Sequence, residues 1–228
     1  MKYLICLLII LMANNNATSQ KRRGNYFWGV RTGAIFPTNL GRSNHEIGFK
    51  DVASTGFTGG IWGGWHYNER LSLSTELNYQ FLPKNKSFWN VDSKGTFSAN
   101  YQSTNLLLTG NYYFSNDDWR PFLGASFGLH LLRNMVDFKS KYIGTDNDES
   151  IHYIATDWRP GFGFNLGTMV DITKKAQLVV ETKLTVIPFL KEQVVPIMDG
   201  DVIVNSFTKN PHGNQNQISF TIGLNFQL

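Results

Sequence analysis

The chain closes on an unbroken alternation. In Gln217-Ile218-Ser219-Phe220-Thr221-Ile222-Gly223-Leu224-Asn225-Phe226-Gln227-Leu228 every even position is large and apolar, and every odd position is polar or glycine. A period of two marks an extended strand with one oily face and one wet face. The same signal recurs upstream. It predicts strands over 26–36, 54–67, 71–82, 101–114, 120–133, 157–172 and 176–189, which with 217–228 makes eight. The run from Leu71 is the cleanest: Leu71, Leu73, Thr75, Leu77, Tyr79 and Phe81 oppose Ser72, Ser74, Glu76, Asn78 and Gln80. Each run exceeds the usual length of a strand in a soluble protein and suffices to cross a bilayer at a tilt.

The gaps between the runs follow a rhythm. Residues 67–70, 115–119 and 173–175 are tight turns, whereas 37–53, 83–100, 134–156 and 191–214 are long and polar. Short and long connections alternate throughout. That is the arrangement of a closed outer-membrane barrel, with short turns in the periplasm and long loops outside. An even strand count also returns both chain ends to one side. The expected fold is all-β: an eight-stranded antiparallel up-and-down transmembrane β-barrel.

Face chemistry sets the expected orientation. A soluble sandwich or lipocalin turns its oily face inward and covers the other with Lys and Glu. Here the polar face is rich in Gly, Ser, Thr and Asn and poor in charge, while the oily face carries large aromatics such as Phe127, Phe162 and Phe164. This pattern places the oily face outward, against lipid. Aromatics gather at strand ends: Tyr26, Phe27, Trp28, Trp65, Tyr67, Tyr112, Tyr113, Phe114 and Trp119 near the short turns, and Phe81, Tyr101 and Trp158 near the long loops. They are expected to mark the two membrane–water boundaries.

Composition narrows the class. Lys2, the apolar run 3–13 and the small residues Ala17 and Ser19 read as a secretory signal peptide over 1–19, leaving a barrel domain over 20–228. The single cysteine, Cys6, falls inside that leader, so no disulfide or thiolate chemistry is expected in the rest. The balance is mildly basic, +4 overall, and the one basic cluster is Lys21-Arg22-Arg23. Nucleic-acid binding wants basic residues gathered on one face, so none is expected.

Three runs carry a family resemblance: Asn111-Tyr112-Tyr113-Phe114, Arg120-Pro121-Phe122-Leu123-Gly124-Ala125-Ser126-Phe127-Gly128 and Gly161-Phe162-Gly163-Phe164-Asn165-Leu166-Gly167. They resemble the small Gram-negative outer-membrane β-barrel domains, the OmpA-like and PorT-like "porin family" barrels. The resemblance implies residence in the outer membrane and insertion by the barrel-assembly machinery, which in such barrels reads a terminal aromatic residue. This chain carries Phe226 two places before Leu228.

Parity puts Arg31, Glu76, Glu181 and Lys183 on the wet face, all near mid-strand. Isolated charges at that depth are costly, so they are expected to pair into an ion network that fills the lumen. Arg159 and His130, higher on their strands, are expected to join it. Eight strands enclose an interior only wide enough for side chains, so no open pore is expected.

Catalysis finds no support. A barrel esterase needs a serine activated by a histidine and an acid. None of His45, His66, His130, His152 and His212 has a serine two residues on, the pairing carried by lipid A deacylases. Asp146-Asn147-Asp148-Glu149 resembles half a calcium loop but lacks its glycine and its closing glutamate. No catalytic residue, metal or cofactor is expected. The long loops are the expected contact surface, with Phe88, Trp89, Ile197 and Met198 as apolar candidates for an envelope partner or for lipopolysaccharide. The reading is a non-enzymatic outer-membrane barrel with a structural or interaction role. A small passive pore, and less so a lipid A-modifying enzyme, are its alternatives.

Overall fold

A computed structural model describes residues 26–40, 49–86, 95–140, 150–188, 193–199, 202–209 and 215–228. The strands are β1 (Tyr26–Pro37), β2 (Gly56–His66), β3 (Leu71–Pro83), β4 (Gly95–Tyr113), β5 (Trp119–Ser140), β6 (Ser150–Asp171), β7 (Ala176–Val186), β8 (Gln193–Asp199), β9 (Val202–Lys209) and β10 (Gln217–Gln227). One helical turn, α1 (Phe49–Val52), lies between β1 and β2. Strands β1 to β7 pair in chain order and antiparallel. Strand β10 then joins β7 to β1 and closes the ring. This is the eight-stranded up-and-down barrel. Closure leaves it no free edge, which lipid would not tolerate.

Each short turn is fixed by a side-chain oxygen near its start. The Asn68 carbonyl Oδ1 accepts from the backbone N–H groups of Arg70 and Leu71, both at 2.8 Å. Ser115 Oγ accepts from Asp117 N–H at 3.0 Å and donates to Trp119 O at 3.1 Å. Thr173 Oγ1 accepts from Lys175 N–H at 3.3 Å and Ala176 N–H at 3.0 Å. Such local bonds mimic the backbone turn and lock the register of the strands they join.

The outer wall is oily and the inner wall wet. Phe127 is 63% exposed and Ile222 52%, while Glu76 is 2% exposed and His130 0%. On β5 the outward apolar run from Trp119 to Leu131 spans 13 residues. At strand rise and barrel tilt that is about 30 Å, the depth of a hydrocarbon core.

The structure departs from the expected pattern in three places. Strands β4, β5 and β6 continue past the expected ends, to Gly95, Ser140 and Ser150, so the sheet stands out beyond the membrane. The fourth long loop is not all loop: β8 and β9 form a hairpin that meets β6 at Ser150 and Met198. Ile197 and Met198 therefore lie on a strand. Phe88, Trp89 and residues 146–149 lie outside the described residues. Finally, Tyr101 does not mark the outer boundary. It is buried inside the barrel, as are Phe27 and Tyr113 near the opposite end. All three sit at inward parity, where an aromatic ring seals the lumen instead of meeting a head group.

Candidate functional site: the barrel lumen

The lumen is filled level by level. At mid-height, β1 contributes Arg31, β3 Glu76, and β7 both Glu181 and Lys183. Arg31 Nη1 donates to Glu181 Oε1 at 2.7 Å, and its Nη2 donates to Glu76 Oε2. Lys183 Nζ lies 2.7 Å from Glu76 Oε2 and 3.6 Å from Glu181 Oε1. The four charges thus form a ring of alternating sign with no net charge. In a ring of eight strands β3 and β7 stand opposite, so the Lys183–Glu76 bond crosses the lumen centre.

Amides complete the level. Asn78 Nδ2 donates to Glu76 Oε2 at 3.3 Å, and Asn165 Nδ2 donates to Glu181 Oε2 at 3.2 Å and to Asn111 Oδ1 at 2.8 Å. The side chains of all four charged residues are at most 9% exposed. Charges this deep are tolerable only when paired and hydrogen-bonded, and these are. Beside them, lined among others by Arg31, Asn105, His130, Glu181 and Lys183, is a cavity of about 10 Å³. That is about the room one water molecule needs.

Below lies an apolar layer of Phe27, Trp62, Tyr113, Phe122, Met169 and Val179. Tyr113 and Phe122 pack at 5.7 Å between ring centroids, and His66 lies 4.8 Å from Phe27 and 5.9 Å from Tyr113. Strand glycines make the room. A Cβ at Gly29 would come within 2.4 Å of the Trp62 ring, and one at Gly223 within 2.8 Å. Beneath the layer Arg120 donates to Asp171 at 2.6 Å, and Gln177 donates to the same oxygen at 2.8 Å. The guanidinium of Arg31 rests 5.4 Å over Trp62, which joins this layer to the charged one.

Above lies a second apolar layer: Ile35, Phe49, Ala53, Leu82 and Tyr101, with Val52 packed against it. Helix α1 brings Phe49 and Val52 over the mouth. Asn39 Oδ1 accepts from the backbone N–H of Lys50 at 2.9 Å, and Val52 O accepts from Asn85 N–H at 2.9 Å. The Phe49 ring then meets Tyr101 edge-on at 5.4 Å. Leu132 and Ile187 form a smaller apolar pair.

Arg31, Glu76, Glu181 and Lys183 are thus brought together, but Arg159 is not. Its guanidinium is held by Asp157, two residues away on the same face of β6. His130 also stands apart from the quartet, with Nδ1 2.7 Å from Asn105 Oδ1 and its ring against Gly161. Sequence reasoning missed both apolar layers. Parity already turned Trp62, Leu82, Tyr113 and Phe122 inward, so the signal was present. Among the described residues no three His, Cys, Asp or Glu side chains gather as a metal site.

Comparison with known proteins fits this geometry. The family profile described as "Outer membrane protein beta-barrel domain" matches residues 4–226. The chain belongs to the outer membrane protein beta-barrel domain family. No curated protein matches it. Among solved structures it is similar to Neisserial surface protein A, at 15% identity and a TM-score of 0.50, covering 91% of this chain and 100% of that one. It is also similar to a major outer membrane protein from Thermus thermophilus, at 13% identity and a TM-score of 0.52, covering 89% and 99%. Identities this low show a shared fold. Family and fold together place this barrel in the outer membrane.

Proposed function

We propose that this family member is a non-enzymatic, non-conducting barrel with a structural or interaction role in the cell envelope. The quartet of Arg31, Glu76, Glu181 and Lys183 is the observation that carries the reading. Its bonds cross the lumen, and apolar layers lie above and below it. An ion entering from either side would first shed its water against aromatic rings and then break paired charges, and both steps are costly. The quartet therefore acts as a filling that holds opposite walls together.

Contact with other molecules falls to the outer side. The extensions of β4, β5 and β6 and the β8–β9 hairpin carry backbone beyond the membrane, on a scaffold made rigid by the barrel. An envelope protein or lipopolysaccharide would meet this surface, and the barrel-assembly machinery would act during insertion. Single-channel recording of the purified full chain in planar bilayers tests the reading. We expect no stable conductance above the bilayer background. A steady, large, reproducible conductance would overturn the closed lumen in favour of a passive pore.

A further inference from the structure

One cation on the outer wall stands out. Among the described side chains that face outward from the barrel strands, Arg133 is the only positive charge. It is exposed, and no described acid pairs with it. The next outward carboxylate on β5 is Asp137, four residues on, about 13 Å away along the strand.

Its height is set by its own strand. The outward face of β5 runs Trp119, Pro121, Leu123, Ala125, Phe127, Leu129, Leu131 and then Arg133. The apolar stretch is as deep as a hydrocarbon core, so Arg133 is the first outward residue beyond it. Its neighbours agree. One pair nearer the periplasm, Leu131 stands opposite Trp158, which is 59% exposed and carries an indole N–H suited to the boundary. Arg133 itself stands opposite Gln102 on β4 and the exposed Thr156 on β6. The Gln102 amide is occupied by Asn100 at 3.1 Å. A guanidinium with no acid partner among the described residues, a neighbouring hydroxyl and a flanking indole thus meet at head-group height, directly above an apolar wall.

We propose that Arg133 binds a phosphate of an outer-leaflet lipid head group, with the Thr156 hydroxyl as second donor. The acyl chains of the same lipid lie along Leu129, Leu131 and Trp158. A planar guanidinium offers paired donors that match phosphate geometry, and the low dielectric at the boundary strengthens the contact. The inference rests on the oily-out membrane orientation and deepens the proposed interaction role by naming one ligand class.

The test uses the refolded full chain in neutral detergent, titrated with lipid A or with dephosphorylated lipid A, and bound lipid is counted by native mass spectrometry. We expect the unaltered chain to hold one lipid A about fivefold more tightly than Arg133→Gln does, the worth of one interfacial arginine. Dephosphorylated lipid A should bind the two proteins equally, and Arg133→Lys should fall between. Equal retention of lipid A by the unaltered chain and Arg133→Gln would overturn the site. So would equal retention of lipid A and its dephosphorylated form by the unaltered chain, a comparison that stands even if Arg133→Gln does not fold. Displacement of bound lipid A by inorganic phosphate alone would also overturn it, because it would make the site a free-anion site. Recovery of the chain in the soluble fraction without detergent would instead overturn the membrane orientation beneath it.

Discussion

The middle of the lumen and its two ends obey the same inward parity yet are filled by opposite chemistries. At mid-height the inward positions hold Arg31, Glu76, Asn78, Asn165, Glu181 and Lys183; toward the periplasm Phe27, Trp62, Tyr113 and Phe122 form an apolar layer over the Arg120–Asp171 pair, and toward the outside Ile35, Leu82 and Tyr101 form another. Water explains the difference. The ends face aqueous phases, so a layer that repels water closes them. The middle is cut off from water, so polar groups there must satisfy one another, and they tie opposite walls at fixed points. The inside of this barrel is therefore a polar core crossed by an apolar layer on either side of its charged middle.

Perturbing the two regions separately should expose that contrast. The largest effect belongs to the charged middle. Glu76→Ala leaves Arg31 and Lys183 to share Glu181, and a buried pair broken on one side costs about 3–5 kcal/mol. Urea unfolding in phospholipid vesicles measures it. Replacing all four charges with neutral residues of similar volume should cost less than Glu76→Ala alone. A single loss below about 1 kcal/mol would mean that the four charges are hydrated, and the contrast would fail.

The next effect concerns room at mid-lumen. A Cβ at Gly161 would meet His130 Nε2 at 2.5 Å. Gly161→Ala should destabilise the chain by about 1–3 kcal/mol, as overpacking does. In a His130→Ala background the same change should cost much less. A double-mutant cycle in urea reads the coupling, and simple additivity would contradict the contact.

The outer lid should be softer. Phe49 sits on a four-residue helix at the mouth, where its neighbours can relax, so Phe49→Ala should cost about 1–2 kcal/mol, below the roughly 3–5 kcal/mol of a phenylalanine in a rigid core. Conductance should stay absent, because the Trp62 layer remains below. Appearance of a current in Phe49→Ala would show that the lower layer does not seal. The smallest effect is expected from salt. Raising sodium chloride from about 0.05 M to about 0.5 M should shift the unfolding free energy by less than about 0.5 kcal/mol, since screening does not reach a buried quartet.

Much of this architecture was legible in the sequence, for physical reasons that can be named. Alternation is a one-dimensional record of a wall with lipid on one side, and it fixed the strands from Tyr26 to Pro37 and from Leu71 to Pro83 to within one or two residues. Four charges at one parity and one depth in Arg31, Glu76, Glu181 and Lys183 marked a common level, because lipid would not accept them. Arg159 misled because its partner, Asp157, lies in its own strand two positions away, a local pairing that parity alone does not rank above a long-range one. Past the membrane the record stops. The extensions of β5 and β6, and the hairpin that contains Pro196, lie past the apolar wall, and lipid imposes no alternation there. Helix α1 is too short for a helical period. The lids were misread because an aromatic at a strand end suits the lipid boundary and the lumen mouth equally well, and only parity separates Trp65 from Trp62.

The most direct measurement is thiol labelling at mid-lumen. Ser126 is buried on the inner face of β5, and Ser126→Cys in a chain carrying Cys6→Ser leaves one thiol there. In the folded protein, reconstituted in vesicles and treated with a small water-soluble methanethiosulfonate on both sides, that thiol should stay unmodified and become reactive only in urea. Modification of the folded protein as fast as that of a cysteine placed at the exposed turn residue Asp117 would show water standing in the lumen, and a barrel closed at both ends would be ruled out.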